Sequence, residues 1–348
     1  MADAKLDLFS QQAANRRRSR RLVGGFVLFF TWLGVGGDWL AWQFTRDLPP
    51  EAYHHQFPLG GLAMFAIGLG LVAYIRKTGA EKVLWSSGAW QLLEAVTPEQ
   101  KLLDNVVGEM AVAAGLPKPT IWIIDDPDPN AFATGNDPLH SHIAVTTGLL
   151  TTVNREELQA VIAHEMGHVK NLDMQLMTLM AGLVGAVALI SNGLGRVIFR
   201  GGISARGGGG AGGGGDRAKG GAGPLLVVIL VIWLVSWILA PIITRLMAMG
   251  ISRQREYLAD SMSAQFTRNP LSLASALEKI ERASEPSTSI KGGVAHLCIA
   301  DPLGRHVSGL QGMVGDLLAT HPPMAMRVAR LKAMGYQAQK ATGNFQAT

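Results

Sequence analysis

The chain has 348 residues, of which 48% are hydrophobic and only 16% are charged, with a formal net charge of +5. Soluble globular proteins average about 25% charged residues, so this composition indicates membrane-spanning sequence. The basic residues flank apolar segments and form no patch with interleaved aromatic residues, which argues against a nucleic-acid partner. The single cysteine, Cys298, excludes an internal disulfide and a cysteine-based zinc site.

The first predicted element is a transmembrane hairpin at residues 1–78. An apolar run from about Leu22 to Phe44 follows a cluster of arginines and is too long for a signal peptide. A second apolar run, from about Phe57 to Ile75, ends at Arg76 and Lys77. Because cytoplasmic flanks carry an excess of Lys and Arg, both ends of this hairpin are predicted to face the cytoplasm.

Residues 79–173 have the mixed composition of a soluble region. Helical periodicity runs from Pro98 to Ala114. Two short apolar segments, Thr120–Ile124 and Ile143–Thr146, are predicted strands. This order predicts an α+β region in which a small sheet leads into a helix.

That helix carries the sequence His164-Glu165-Met166-Gly167-His168, with Asn154 as its predicted N-cap and Glu157 as the capping-box partner. Two residues four apart on a helix leave the same face, so both imidazoles can bind one metal ion. The spacing suits two ligands of a tetrahedral zinc, and Glu165 can reach a metal-bound water as general base. The sequence therefore predicts one Zn²⁺ per chain.

A second hydrophobic hairpin is predicted at residues 174–250, with apolar runs at about Met174–Ile190 and Pro224–Met249. Between them, the glycine-rich segment 200–223 is interpreted as a flexible linker, since it lacks the Gly-Lys-Ser/Thr of a phosphate-binding loop. Four spans are the favoured interpretation. The alternative is that these two runs do not cross the bilayer, because the linker is basic and the first run is short.

Residues 251–335 are predicted to complete the catalytic region with helices, followed by a flexible tail at 336–348. Glu256 and Asp260 are four apart and share a helix face. Glu256 would complete a His₂Glu site with an open fourth position, and Asp260 could accept the second N–H of a ligating histidine. A solvated helix face is the alternative for this pair. The third ligand would then be one of the next candidates, Asp173, Glu278 or His296.

The order of these motifs resembles that of the membrane zinc metalloproteases of the HtpX type, the bacterial heat-shock proteases. The resemblance covers roughly residues 20–335. Besides the hairpin and the zinc motifs, the matching segments are PNAFATG at 129–135, AVTTGLL at 144–150, Asn171 with Asp173, and THPP at 320–323 with Arg327. The glycine-rich linker is longer and more basic than expected for the family, which leaves the role of this loop open.

The resemblance implies an α+β, mainly α, integral membrane metalloprotease with about four transmembrane helices and a cytosolic zincin-like (gluzincin) catalytic domain. It further implies an ATP-independent endopeptidase of the inner membrane, with its active site on the cytoplasmic side. Its partners would be the lipid bilayer and polypeptide substrates, chiefly misfolded or damaged membrane proteins in a stress response. The oligomeric state is not predicted.

Further roles are predicted around the zinc motif. His321, in the matching THPP segment, is a candidate oxyanion donor, with a loop residue as the alternative, and Asn171 is expected to support the zinc ligands. If Ala144-Val145-Thr146 is an exposed edge strand, it could pair with an extended substrate. Asn130 could add a contact to the substrate backbone, or simply form a turn.

Two other functions are compatible with the sequence. One is a narrow processing protease of the same family, for example one that trims lipidated peptides, although such enzymes usually have more spans. The other is a non-catalytic zinc-binding membrane scaffold. Structural zinc sites are closed and usually rich in cysteine, whereas the predicted site has an open position and an adjacent general base.

Overall fold

A computed structural model describes residues 8–45, 57–183, 253–283, 287, 289–290, 297–300 and 322–341 of the chain. The described part is mainly helical and contains one four-stranded sheet. It belongs to two compact units, the larger with residues 8–21, 74–182 and the C-terminal helices, and the smaller with residues 22–73. The glycine-rich linker 200–223, the apolar run near 224–249, His296 and His321 lie outside the described residues.

Two helices begin the chain, α1 (Leu8–Thr45) and α2 (Leu59–Ser86). Within them, the segments Gln12–Gln43 and Leu59–Ser86 are long and apolar enough to cross a membrane by length and composition. In the smaller unit, the Asp38 carboxylate accepts hydrogen bonds from the backbone N–H of Gly60 at 2.9 Å and of Gly61 at 2.6 Å. Asp38 thus satisfies donors at the start of α2 that have no partner inside the helix.

The sheet has four strands, β1 (Trp90–Gln91), β2 (Thr120–Ile124), β3 (Ala131–Gly135) and β4 (Ser141–Thr146). Their order is β1-β2-β4-β3, with β2 and β4 parallel and the other pairs antiparallel. The strands predicted at 120–124 and 143–146 are therefore present, while β3 was not predicted.

The expectation that Ala144-Val145-Thr146 forms an exposed edge strand is wrong. β4 lies between β2 and β3, so its backbone groups are paired on both sides, and all three residues are buried. The reason is the course of the chain. After β2 the chain forms β3, and the following strand β4 then pairs antiparallel with β3. The two edge positions belong to β1 and β3.

The larger unit is built around one buried helix. Helix α3 (Pro98–Ala114) and the short α4 (Thr147–Thr152) precede α5 (Arg155–Lys170), and a further helix, α6, begins at residue 173 and is described to 183. Among the described residues, three helices follow, α7 (Arg253–Thr267), α8 (Pro270–Arg282) and α9 (Met324–Ala341). Helix α5 packs against α3, α7, α8 and β3, which buries almost all of it between 157 and 169.

The N-terminus of α5 is capped as the sequence predicts. The Asn154 side chain accepts a hydrogen bond from the Glu157 N–H at 2.9 Å, and Glu157 accepts one from the Asn154 N–H at 2.8 Å. Such reciprocal capping satisfies two donors at the helix start. It fixes where α5 begins and hence which of its residues face the core.

Candidate metal centre

Helix α5 presents two buried imidazoles on one face. The His164 and His168 rings are nearly perpendicular, with centroids 4.8 Å apart, and their Nε2 atoms face each other at 3.2 Å. Two ligand atoms about 2.0–2.1 Å from a tetrahedral zinc lie about 3.3 Å apart. The imidazoles are therefore spaced as two ligands of one such ion.

Helix α7 brings a carboxylate to the same point. Glu256 Oε2 lies 3.6 Å from His164 Nε2, and Glu256 Oε1 lies 3.5 Å from His168 Nε2. The three side chains are buried and form a group that could hold a metal ion. The close approach of α7 depends on Gly167, where an added Cβ would lie only 3.2 Å from the Ala259 Cα.

His164 is oriented from behind by an acidic partner. Asp260 Oδ1 lies 3.0 Å from His164 Nδ1, as expected for a residue that fixes the ring with Nε2 toward the metal. Burial alone would lower the pKa of His164, but the nearby carboxylates of Asp260 and Glu256 outweigh it and raise this pKa to about 9. The surroundings of this ring therefore favour positive charge.

Arg327, on α9, holds Asp260 in place. Its Nε donates to Asp260 Oδ2 at 3.0 Å, its Nη2 donates to Oδ1 at 2.7 Å, and its Nη1 donates to the Ile299 carbonyl at 2.8 Å. Burial raises the pKa of Asp260, but Arg327 and His164 outweigh it and hold this pKa below its ordinary value. Sequence reasoning matched Arg327 to a motif but assigned it no role.

His168 has its own acidic partner, Asp173. The Oδ2 atom of Asp173 lies 3.3 Å from His168 Nδ1 and accepts a hydrogen bond from the Asn171 amide at 2.9 Å. Between Asn171 and Asp173, Leu172 has a φ of 60°, in the left-handed region that non-glycine residues rarely adopt. This turn places Asp173 beside the His168 ring. Asn171 contacts Asp173 and not the ring. The sequence had suggested Asp173 only as an alternative ligand.

Glu165 is buried next to the two histidines. Within the part of the chain that the structure describes, neither of its carboxylate oxygens has a hydrogen-bond partner, and burial raises the pKa of Glu165. Burying a carboxylate without hydrogen-bond partners costs free energy. The site around Glu165 therefore fits a further charged or polar occupant that would pair with this carboxylate. The donor set and this carboxylate both fit a zinc ion and a reacting water.

Other predicted residues are placed differently. The Asn130 side chain is buried and is used inside the protein, because its Nδ2 donates to the Ala300 carbonyl at 3.0 Å and its Oδ1 accepts from Ala131 N–H at 3.2 Å. It is not available to a substrate, so that prediction is wrong. Glu278 forms a surface ion pair with Lys332. His321 lies outside the described residues.

Comparison with known proteins agrees with this geometry. Peptidase family M48 matches residues 98–335. The chain is 38% identical to the "Protease HtpX homolog" of Caldanaerobacter subterraneus subsp. tengcongensis, over 95% of this chain and 99% of that protein. It is 36% identical to the protein of that name from Streptococcus gordonii, over 94% of this chain and all of that protein.

A third protein named "Protease HtpX homolog", from Tropheryma whipplei strain Twist, is 40% identical over 79% of this chain and 85% of its own length. The crystal structure of S. mikatae Ste24p is similar with a TM-score of 0.44 and 18% sequence identity, over 93% of this chain and 67% of that chain. The family match and the identities establish the class of the protein. The chain belongs to peptidase family M48 and is a metalloprotease.

Proposed function

We propose that this protein is a zinc metalloendopeptidase in which His164, His168 and Glu256 hold one Zn²⁺. The observation that carries the proposal is the convergence of these three buried donors beside Glu165, whose carboxylate oxygens have no partner among the described residues. A zinc ion held there supplies Lewis-acid chemistry, because it makes water nucleophilic near neutral pH and polarises the scissile carbonyl.

Glu165 is the general base of this proposal. Glu165 is buried on α5, and the charges of His164, His168 and Glu256 all act on its carboxylate. Burial raises the pKa of Glu165 above its ordinary value. It takes the proton of the attacking water and returns it to the leaving amine when the peptide bond breaks.

The edge strand β3 provides a way to hold an extended peptide. Backbone groups alternate in direction along an antiparallel strand, and Asn130 O accepts from the Thr146 N–H, toward β4. The groups of Ala131, Ala133 and Gly135 therefore point to the other side, where Ala131 O accepts from Ile299 N–H and Gly135 N–H donates to Thr178. We propose that a substrate strand pairs at Ala133, between these two occupied positions. Because Ala133 is itself buried, this pairing requires the contacts of β3 with Ile299 or Thr178 to open first.

The substrates proposed are misfolded or damaged membrane proteins, degraded without ATP as part of a stress response. Two observations support this choice, membership of the M48 family and the two helices at the N-terminus that are apolar enough to span a bilayer. We propose a multi-pass protein of the inner membrane with four spans and a cytoplasmic active site. The basic flanks of the first hairpin support this orientation.

The test is Glu165→Gln, made in the full-length protein. The variant should keep its zinc because the three metal-binding side chains are unchanged, and casein cleavage should fall by about two to four orders of magnitude. Wild-type cleavage should be blocked by a chelator and restored by Zn²⁺. Cleavage that survives in Glu165→Gln, or zinc content that falls in parallel with activity, would show that the role of Glu165 is wrong.

The same inactive variant also tests the substrate class. Expressed in membranes, it should retain bound polypeptides that wild-type protein degrades, and cross-linking would identify them. A broad set of membrane proteins supports quality control. A single short peptide class would instead indicate a narrow processing protease.

A further inference from the structure

The N-terminal part of α1 buries polar side chains and exposes charged ones. Before the apolar run begins at about Leu22, the buried side chains are polar, Asn15 at 1% exposed and Ser19 at 5%, whereas the arginines of this segment are exposed. Residues 8–21 belong to the larger unit, together with α5 and the metal centre. A buried asparagine needs hydrogen-bond partners, and those partners show what this segment does.

Two side chains of this segment attach it to the end of α5. Gln12 Nε2 donates to the Lys170 carbonyl at 2.7 Å, which satisfies one of the free carbonyls at the helix C-terminus. Asn15 Nδ2 donates to the Asn171 carbonyl at 3.0 Å. The second hydrogen of the same amide is directed to Asp173 Oδ1, at 2.7 Å.

Asp173 is the buried carboxylate that faces His168. Its Oδ2 atom is already shared between His168 Nδ1 at 3.3 Å and the Asn171 amide at 2.9 Å. Its Oδ1 atom has the Asn15 amide at 2.7 Å and the Arg255 guanidinium at 3.8 Å. Among these four contacts the Asn15 bond is the shortest, and it favours the rotation that points Oδ2 at the ring.

We propose that Asn15 is a positioning residue, which fixes Asp173 and through it His168. The affinity of the centre for zinc then depends on this one side chain of the segment that precedes the first apolar run. The proposal rests on the proposed function in one respect, that His168 is a zinc ligand. Partners of ligating histidines typically change metal affinity by 10- to 100-fold when they are replaced.

The experiment measures the zinc dissociation constant by chelator competition in full-length, detergent-solubilised protein. Asn15→Ala should weaken zinc binding by about three- to tenfold, less than Asp173→Ala at about 10- to 100-fold, because Asn15 acts one step further away. The double variant should bind zinc no more weakly than Asp173→Ala alone. An equal loss from Asn15→Ala in both backgrounds would overturn the proposal.

Asn15→Asp separates positioning from packing. It nearly preserves the shape of the side chain but places a second carboxylate beside Asp173, so it should weaken zinc binding more than Asn15→Ala. A residue that only fills space would give the opposite order. The matched control is Gln12→Ala, which removes a bond to the same helix end without touching Asp173, and its zinc affinity should change by less than about twofold.

The outcomes also separate this proposal from the proposed function. Wild-type protein that binds no zinc, or binds it as well after His168→Ala, would contradict the metal assignment itself. Wild-type protein that binds zinc through His168, together with unchanged affinities in both Asn15 variants, would overturn only the role of Asn15. A loss of zinc affinity in Gln12→Ala as large as in Asn15→Ala would mean that both variants act only by loosening the docking of α1. This result would also overturn the role of Asn15.

Discussion

At the scale of single residues, the metal centre is a set of buried charges that need one another. Glu256 and Asp260 come from α7, two histidines from α5 and Arg327 from α9, and the five side chains lie within a few hydrogen bonds of one another. Removing one member of a buried set of charged groups leaves the charges of its partners without compensation. The effects of single replacements at this site should therefore be larger than those of equal changes at the surface.

Glu256→Ala should lose zinc and peptide cleavage together, because it removes a donor atom from a three-residue group. The measurements are zinc content after dialysis and the rate of casein cleavage. Glu278→Ala is the matched control, since it deletes a glutamate that pairs with Lys332 at the surface, and it should keep both properties. Full zinc occupancy in Glu256→Ala would move the third ligand to another residue.

Arg327→Lys should destabilise the protein although the charge is kept. A lysine cannot reproduce the two parallel bonds to Asp260 together with the bond to the Ile299 carbonyl. The free energy of unfolding in urea should fall by about 2 kcal/mol or more, since bonds to charged groups contribute about 1.5–3 kcal/mol each.

The matched control is Arg330→Lys, which changes an exposed arginine of the same helix that lies over the Tyr257 ring. It should change the free energy of unfolding by no more than about 1 kcal/mol. Equal small changes in both variants would show that the bonds of Arg327 to Asp260 and Ile299 add little to stability.

At the scale of elements, the part of the site that follows local rules could be predicted. The capping box fixes the start of α5, and the four-residue spacing places His164 beside His168 and Glu256 beside Asp260. The partner of His168 could not be predicted in the same way. Asp173 reaches the ring because Leu172 adopts a left-handed conformation, which no preference of leucine indicates.

The order of the strands in the sheet could not be predicted from local sequence either. Their short apolar runs identify β2 and β4 as strands but carry no information on which strand lies at the edge. Strand β3, with the sequence Ala-Phe-Ala-Thr-Gly, has few of the β-branched and aromatic residues that mark a strand. Its formation depends on pairing with β4, which is a tertiary contact, and so the edge was assigned to the wrong strand.

The contact between α5 and α7 gives the element-scale prediction. Gly167→Val should push the two helices apart, because even a Cβ at this position meets the backbone of Ala259 at 3.2 Å. Glu256 would then move away from the histidines, and zinc affinity should fall by at least about tenfold. The measurements are the zinc dissociation constant and the melting temperature.

Gly108→Ala is the matched control in α3. A Cβ there would meet only the end of the Lys118 side chain, at 3.9 Å. An alanine is favoured over glycine in a helix by about 1 kcal/mol, so this variant should melt slightly higher and bind zinc normally. Normal zinc affinity in Gly167→Val would mean that close contact at this glycine does not place Glu256.

At the scale of the whole molecule, the path of the chain through the membrane follows from where the metal-binding residues must meet. The basic flanks of the first hairpin predict that its two ends face the cytoplasm. His164 and Glu256 form one group, so the chain between them crosses the membrane an even number of times. If the two apolar runs in that interval both cross, as proposed, the linker 200–223 lies on the outer side despite its basic residues.

Single cysteines at Gly212 and at Thr342, each in a Cys298→Ala background, test this path in spheroplasts treated with a membrane-impermeant thiol reagent. Labelling at position 212 alone is expected, because the linker would be outside and the C-terminus inside. The matched control is the same reagent after lysis, which should label both positions. No labelling of intact spheroplasts would mean that the second pair of apolar runs does not cross. Labelling at position 342 would contradict a cytoplasmic active site, because the C-terminus follows the catalytic helices with no further apolar run in between.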